Sequence, residues 1–130
     1  QSVFSEKPLP FLIHEFWEQD FGDWEGLPYG DIPDQGALSG QDLVQFSPPN
    51  GESFSELCLR TQPPLLKIIS ERKVEEIAIF THAGVIRSFL ALALGSKEAA
   101  LKFSVDNLSI TGMQALSGGQ FSISFVNQTL

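Results

Sequence analysis

Residues Ile77 to Arg87 read IAIFTHAGVIR, and no other stretch constrains the chain so tightly. Ile77 to Phe80 is a short β-branched and aromatic run after Glu75-Glu76, which reads as a buried strand. Thr81-His82-Ala83-Gly84 interrupts it. Val85, Phe89, Leu92 and Ala93 then recur at helical spacing as far as Gly95, a suitable C-cap. A strand that runs directly into a helix points to an α/β fold. It also creates a place for an anion, because the first N–H groups of the helix have no intrahelical partner and the helix dipole adds positive potential there. His82 is therefore a candidate phosphate ligand, with the N–H of Ala83 or Gly84 beside it. A buried histidine bonded to a neighbouring loop accounts for the same residue equally well.

A second candidate is Glu52, in Pro48-Pro49-Asn50-Gly51-Glu52-Ser53. The turn formers bring its carboxyl group to the entrance of a helix. A carboxylate there is favoured by the dipole alone. It also suits a general acid or base, which needs a carboxyl within hydrogen-bond reach of a leaving oxygen. Ser53-x-x-Glu56 has the form of a capping box. Phe54, Leu57, Cys58 and Thr61 follow on one helical stripe, and Cys58 on that stripe reads as core. Pro63-Pro64 should break or kink this helix, since proline lacks the donor N–H. Leu65, Leu66, Ile68 and Ile69 continue it to about Arg72.

The third candidate is the loop Glu18-Gln19-Asp20-Phe21-Gly22-Asp23-Trp24-Glu25-Gly26, with two aromatics and four carboxylates in nine residues. Phe21 and Trp24 could wall a pocket for a ring, or anchor an acidic surface turn. Metal binding by the carboxylates lacks ligand-spacing support. Residues 1–20 read as a loop with a short strand at most, and residues 21–50, rich in Gly and Pro, as a long ordered excursion. After a short helix over Ser96–Lys102, Leu108–Leu116 and Phe121–Val126 read as two strands joined at Ser117-Gly118-Gly119. Phe121, Ile123 and Phe125 alternate with serines, so one face should be buried. Arg87, one turn into the helix after His82, could reach a phosphate or pair within the fold. His14 reads as structural.

Composition narrows the function. The 130 residues fit a single domain, and 42% apolar residues suffice for a core. Sixteen acidic against eight basic side chains give a net charge of -8, which argues against nucleic acid and anionic membranes as partners. The one cysteine excludes an intramolecular disulfide and a cysteine-rich metal site. A reducing, cytoplasmic location is expected, and no signal peptide or membrane span is visible.

Together these segments resemble the histidine phosphatase superfamily, also called phosphoglycerate mutase-like. Glu18-x-Asp20-Phe21-Gly22-x-Trp24-Glu25-Gly26 is similar to that family's early loop, Gly51-Glu52-Ser53 to its acid–base segment, and Thr81-His82-Ala83-Gly84-Val85-Ile86-Arg87 to its second-histidine motif. Phe103 to Ser109 and Phe125-Val126-Asn127 match as well. The resemblance implies a three-layer αβα fold. It also implies phosphomonoester hydrolysis through a phosphohistidine, with no cofactor and no metal. Glu52 would protonate the leaving oxygen and later activate water. His82 would hold the phosphoryl group, helped by Ala83, Gly84 and Arg87. Within the family, Phe-Gly-x-Trp-Glu-Gly with Pro-Pro-Asn-Gly-Glu-Ser is most similar to the alpha-ribazole phosphatases of cobalamin synthesis. Broad-specificity phosphatases, sugar bisphosphatases and phosphoglycerate mutases use similar segments. A non-catalytic domain that binds a phosphorylated ligand or partner is the alternative of a different kind.

The family opens on a central strand ending in Arg-His-Gly, whose histidine attacks phosphorus, and a further arginine follows. Neither is in this sequence, which begins with Gln1 and has its one methionine at Met113. Without the central strand its neighbours would show unpaired backbone groups, each costing about 1–3 kcal/mol when buried. The expectation is that the absent segment accompanies the chain, or that a second chain fills the gap. Intact-mass measurement under denaturing conditions should then give a species several kilodaltons above 14.3 kDa, or a second small peptide. A stable, cooperatively melting monomer at 14.3 kDa would overturn that expectation.

Overall fold

The computed structural model describes residues 10–36, 38–72 and 75–130, so Pro8 and the rest of the first nine residues lie outside it. Its core is a pair of packed helices, α2 (Phe54–Glu71) and α3 (Ala83–Leu94). Leu57, Cys58, Thr61 and Leu65 on α2 and Val85, Ser88, Phe89 and Leu90 on α3 are buried. Burying each of the larger apolar chains contributes about 1.5–3 kcal/mol. A polar contact lies inside this interface: the hydroxyls of Thr61 and Ser88 are 2.7 Å apart. Thr61 Oγ1 also reaches the Leu57 carbonyl at 2.9 Å, and Ser88 Oγ the Val85 carbonyl at 2.6 Å. Two hydroxyl hydrogens thus serve three contacts, and no oxygen is orphaned.

Helix α2 begins as its capping box predicts. Ser53 Oγ accepts from Glu56 N–H, and the Glu56 carboxylate accepts from Ser53 N–H, both at 3.1 Å. The Ser53 N–H, with the Ser47 and Ser53 hydroxyls, holds the Glu56 carboxyl below its ordinary range. That contribution to stability is present above the ordinary carboxylate pKa and is lost on acidification.

The expected break at Pro63-Pro64 does not occur, and the helix runs unbroken to Glu71. The prolines remove donors only to the carbonyls of Leu59 and Arg60, four residues earlier. Pro63 and Leu59 are exposed, so water can solvate that side of the helix. The buried stripe Leu57, Thr61, Leu65 continues past the prolines on the opposite side.

Helix α3 closes at Gly95, whose φ of 70° is the left-handed C-cap geometry foreseen for it. After it come α4 (Lys97–Ala100), capped by Ser96, and the antiparallel hairpin of β1 (Ile110–Ala115) and β2 (Phe121–Gln128). Gly118 and Gly119 take positive φ in the turn, as expected. Met113, Ile123 and Val126 of the hairpin pack against the helical core.

The alternation expected of β2 fails at Phe125, which is 41% exposed. The ladder shifts register on either side of Gly112, and the Phe125 ring lies across that glycine where a Cβ would otherwise be. A one-residue shift moves a side chain off its face.

The expected strand Ile77–Phe80 has no ladder partner among the described residues. Ile79 packs against the core, while Phe80 is 97% exposed and Ile77 42%. A strand exists only beside a neighbour, so the apolar run marks a place where pairing is possible and is not made among these residues. A short helix that the turn-rich composition concealed, α1 (Gly40–Gln45), interrupts the long excursion. Ser39 caps it, and Val44 anchors it to the core.

Burial pushes the Cys58 thiol up to about 11, with Lys97 pulling weakly the other way. Native protein at pH 8 should therefore resist iodoacetamide, with alkylation following the rate of unfolding. Rapid labelling in the folded state would contradict this packing.

Candidate active site

Four consecutive residues, Trp17 to Asp20, join the two regions that carry His82 and Glu52. The strap starts from a fixed point. Phe16 is buried with its ring edge-on to Phe89 at 5.3 Å, and its carbonyl accepts from Thr81 Oγ1 at 2.7 Å. Trp17 then meets the His82 ring edge-on at 5.7 Å. The Glu18 carboxylate accepts from Gln19 N–H at 2.8 Å and from Gly84 N–H at 3.4 Å. The Gln19 side-chain amide donates to the Glu52 carbonyl at 3.0 Å. Asp20 N–H donates to the Glu52 carboxylate at 3.0 Å, and the Asp20 carbonyl accepts from Glu52 N–H at 2.7 Å.

His82 is the N-cap residue of α3, exposed, and makes no side-chain cap bond. The first turn of α3 holds no acidic residue of its own, so its positive end is uncompensated by local sequence. Glu18 supplies the missing carboxylate from the strap. Gly84 leaves room for this contact, since a Cβ there would push the Glu18 carboxylate aside and press on Leu57. The spot beside His82, Ala83 and Gly84 is thus an anion position with a side-chain carboxylate already against it.

The loops that carry Glu52 and Phe21 are clamped backbone to backbone. Asp23 N–H donates to the Pro49 carbonyl at 2.9 Å, and the Asn50 amide to the Asp23 carboxylate at 3.1 and 3.2 Å. Gly22 has φ +55°, and a Cβ on Gly51 would come within 2.6 Å of the Asp20 carbonyl oxygen. Asp20 caps Gly22 N–H, and Glu25 accepts from Phe21 N–H. The carboxylates of this loop are therefore spent largely on its own fold.

The residue that sequence reasoning missed is Arg60. All five of its N–H groups are used. Nη1 donates to the carbonyls of Glu15 at 2.7 Å and Trp17 at 2.9 Å. Nη2 reaches the Glu18 carbonyl at 3.2 Å and the Glu52 carboxylate at 2.5 Å, and Nε the other Glu52 oxygen at 3.4 Å. The pair is only partly exposed. An arginine beside an apolar stripe was the available signal. Its spacing pointed to Glu56, a helical turn away, as the routine partner.

The other predicted residues are placed as follows. Arg87 Nε donates to the Phe103 carbonyl at 2.9 Å and ties α3 to the segment after α4. Phe21 and Trp24 both line a cavity of about 170 Å³ between the early loop, α1 and the start of α2. Trp24 stacks on Phe46 at 5.4 Å.

Taken together, the architecture is that of an α/β domain in which one strap brings a carboxylate to a helix N-terminus flanked by a histidine. Comparison with known proteins gives the lineage. The family model of the histidine phosphatase superfamily (branch 1) matches residues 7–129, and the chain belongs to that superfamily, with its α/β phosphoglycerate mutase-like fold. The adenosylcobalamin/alpha-ribazole phosphatase of Escherichia coli is 29% identical over 110 residues, covering 80% of this chain and 54% of that protein. The alpha-ribazole phosphatase of Shigella flexneri superposes with a TM-score of 0.74 at 25% identity, covering 97% of this chain and 65% of that one. A mycobacterial glucosyl-3-phosphoglycerate phosphatase shares the fold, with a TM-score of 0.76 at 18% identity over 88% of this chain and 63% of its own. The chain thus spans less than two thirds of these solved relatives.

Charge-assisted bonds of the Arg60 kind contribute about 1.5–3 kcal/mol each where they are shielded. Arg60→Met should lower the urea-unfolding midpoint markedly, by about 3 kcal/mol in stability, since it strands three carbonyls and the Glu52 carboxylate. Arg60→Lys should restore only part of this, having three donors in place of five. A midpoint unchanged in Arg60→Met would show that the strap is held by other contacts.

Proposed function

We propose that this chain is the substrate-binding part of a phosphomonoesterase that works through a phosphohistidine, and that its substrate is alpha-ribazole 5'-phosphate. The observation that carries the chemistry is the strap. It brings a carboxylate, Glu18, against the same helix N-terminus that His82 flanks. On this reading the N–H groups of Ala83 and Gly84, with His82, take the phosphoryl oxygens and stabilise the charge that develops on them. The likeness to two alpha-ribazole phosphatases supports the substrate.

The resemblance gives the acid–base role to Glu52; we propose Glu18 for it instead, on the contacts each carboxylate makes. Both Glu52 oxygens already accept from Arg60, and one also accepts from Asp20 N–H, so a proton on Glu52 would have to displace those bonds. On this reading Glu18, which accepts from Gly84 N–H, lies beside the bound phosphoryl group. Protonated, it no longer repels the substrate, and it gives its proton to the leaving oxygen as the P–O bond breaks. Ionised, it then takes a proton from the water that attacks the phosphohistidine, which releases phosphate. Glu52 holds the strap in register. Arg87, bonded to the Phe103 carbonyl, sets the position of α3.

The attacking histidine comes from a segment outside these 130 residues, or from another chain, that pairs with Ile77–Phe80. The exposed Phe80 and the unpartnered run support that arrangement.

In the full-length protein, His82→Ala should lower kcat/KM by about 10²–10³-fold, the cost of losing one transition-state donor. Glu18→Gln should lower turnover of alkyl phosphates by about 10²–10⁴-fold. Its effect on p-nitrophenyl phosphate should be much smaller, because that leaving group departs without a proton. Glu52→Gln should act on both substrates alike and lower the melting temperature. Leaving-group sensitivity in Glu52→Gln but not in Glu18→Gln would return the role to Glu52. Undiminished turnover in His82→Ala would remove that residue from the mechanism. Alpha-ribazole 5'-phosphate should exceed sugar phosphates in kcat/KM, and equal rates would favour a broad-specificity phosphatase.

A further inference from the structure

We propose that the cavity bordered by Phe21 and Trp24 selects substrates whose alcohol half is a neutral flat ring, and turns away those with a second anionic group. This rests on the phosphomonoesterase reading and deepens it.

Size is the first argument. A volume of about 170 Å³ is close to the roughly 150 Å³ cavity that takes up benzene, so there is room for one ring. The second argument is shape. Trp24 and Phe46 lie 29° from parallel and form one wall, Phe54 is buried behind, and Phe21, 40% exposed, stands at the lip. A ring placed among these faces meets offset-stacked and edge-on partners. Charge is the third. The lining holds no Lys, Arg or His, and Asp20, Asp23 and Glu25 belong to the loop that carries Phe21 and Trp24. A second phosphate would enter a lining with no cation to pair it, whereas an uncharged ring would not be opposed.

Position is the fourth. Gln19 lines the cavity, and it is the strap residue between Glu18 and Asp20 whose amide donates to the Glu52 carbonyl. A ring held there is one residue along the chain from the carboxyl group proposed to protonate the leaving oxygen. The side-chain amides of Gln19 and Gln35 supply the polar groups that would orient a ring heteroatom or hydroxyl.

The test uses the full-length protein with benzyl phosphate, glycerol phosphate and fructose 1,6-bisphosphate. Benzyl phosphate should exceed the other two in kcat/KM by tenfold or more. Phe21→Ala and Trp24→Ala should each cut the benzyl-to-glycerol ratio about tenfold, through KM and not kcat. Phe21 is the safer site, since its ring is already at the surface. A ratio near one in the wild type, or a ratio untouched in both variants, would overturn the proposal.

A second measurement does not depend on turnover. Fluorine NMR should show 4-fluorobenzyl alcohol broadening on wild-type protein and sharpening on Phe21→Ala. Ring binding without hydrolysis would sustain the cavity assignment and sink the phosphomonoesterase reading. Hydrolysis without ring binding would do the reverse.

Discussion

One guanidinium holds the candidate site together. Arg60 stands on α2, one of the two core helices, and reaches out to Glu15, Trp17, Glu18 and Glu52. Without it the carbonyls of Glu15, Trp17 and Glu18 would lose their shared donor. The planar fork matters as well as the charge. Two carbonyls on one nitrogen, a carbonyl and a carboxylate on the next, and a second carboxylate oxygen on Nε define both the path and the rotation of the strap. The positions of Glu18 and Gln19 follow from that.

The anion position is built on an electrostatic debt at α3. Its N-terminus carries neither an acidic first turn nor a capping side chain, so the potential there is free for something from elsewhere. Glu18 meets it only weakly, at 3.4 Å. A short, strong contact would have closed the position to any other anion. A long one leaves it stabilised and still displaceable.

How much of this could be read from the residues differs by level. The capping box at Ser53 and Glu56, the αL cap at Gly95 and the turn at Gly118-Gly119 were legible because each is a local bargain between a few neighbouring atoms. Helix α3 and the placement of His82 at its start were legible for the same reason. What stayed hidden was decided at long range. Pro63-Pro64 signals a break, and only the buried stripe on the far side of α2 overrides it. Ile77–Phe80 signals a strand, but pairing depends on a partner the run itself does not contain. Arg60 and Glu18 act on residues more than forty positions away in sequence, where spacing rules for a single helix or strand have no purchase. Phe21 and Trp24 were read as either a pocket wall or the anchors of an acidic turn, and they line a cavity, because two aromatics in a glycine-rich loop have few places to go.

The glycine clamp separates two kinds of change in this chain. Gly22 and Gly51 let the two loops meet backbone to backbone, with Asn50 and Asp23 adding side-chain bonds, so the register of Glu52 against Asp20 is settled around the excursion between Glu25 and Ser47. That excursion hangs beyond a closed neck. Doubling its length would cost only about 0.6 kcal/mol in closure entropy, and none of that need reach the neck. Gln35, Leu43 and Phe46, which help shape the cavity, all lie past it. Changes in the excursion could therefore reshape the cavity while the register of Glu52 against Asp20 stays where it is, so the two can vary independently.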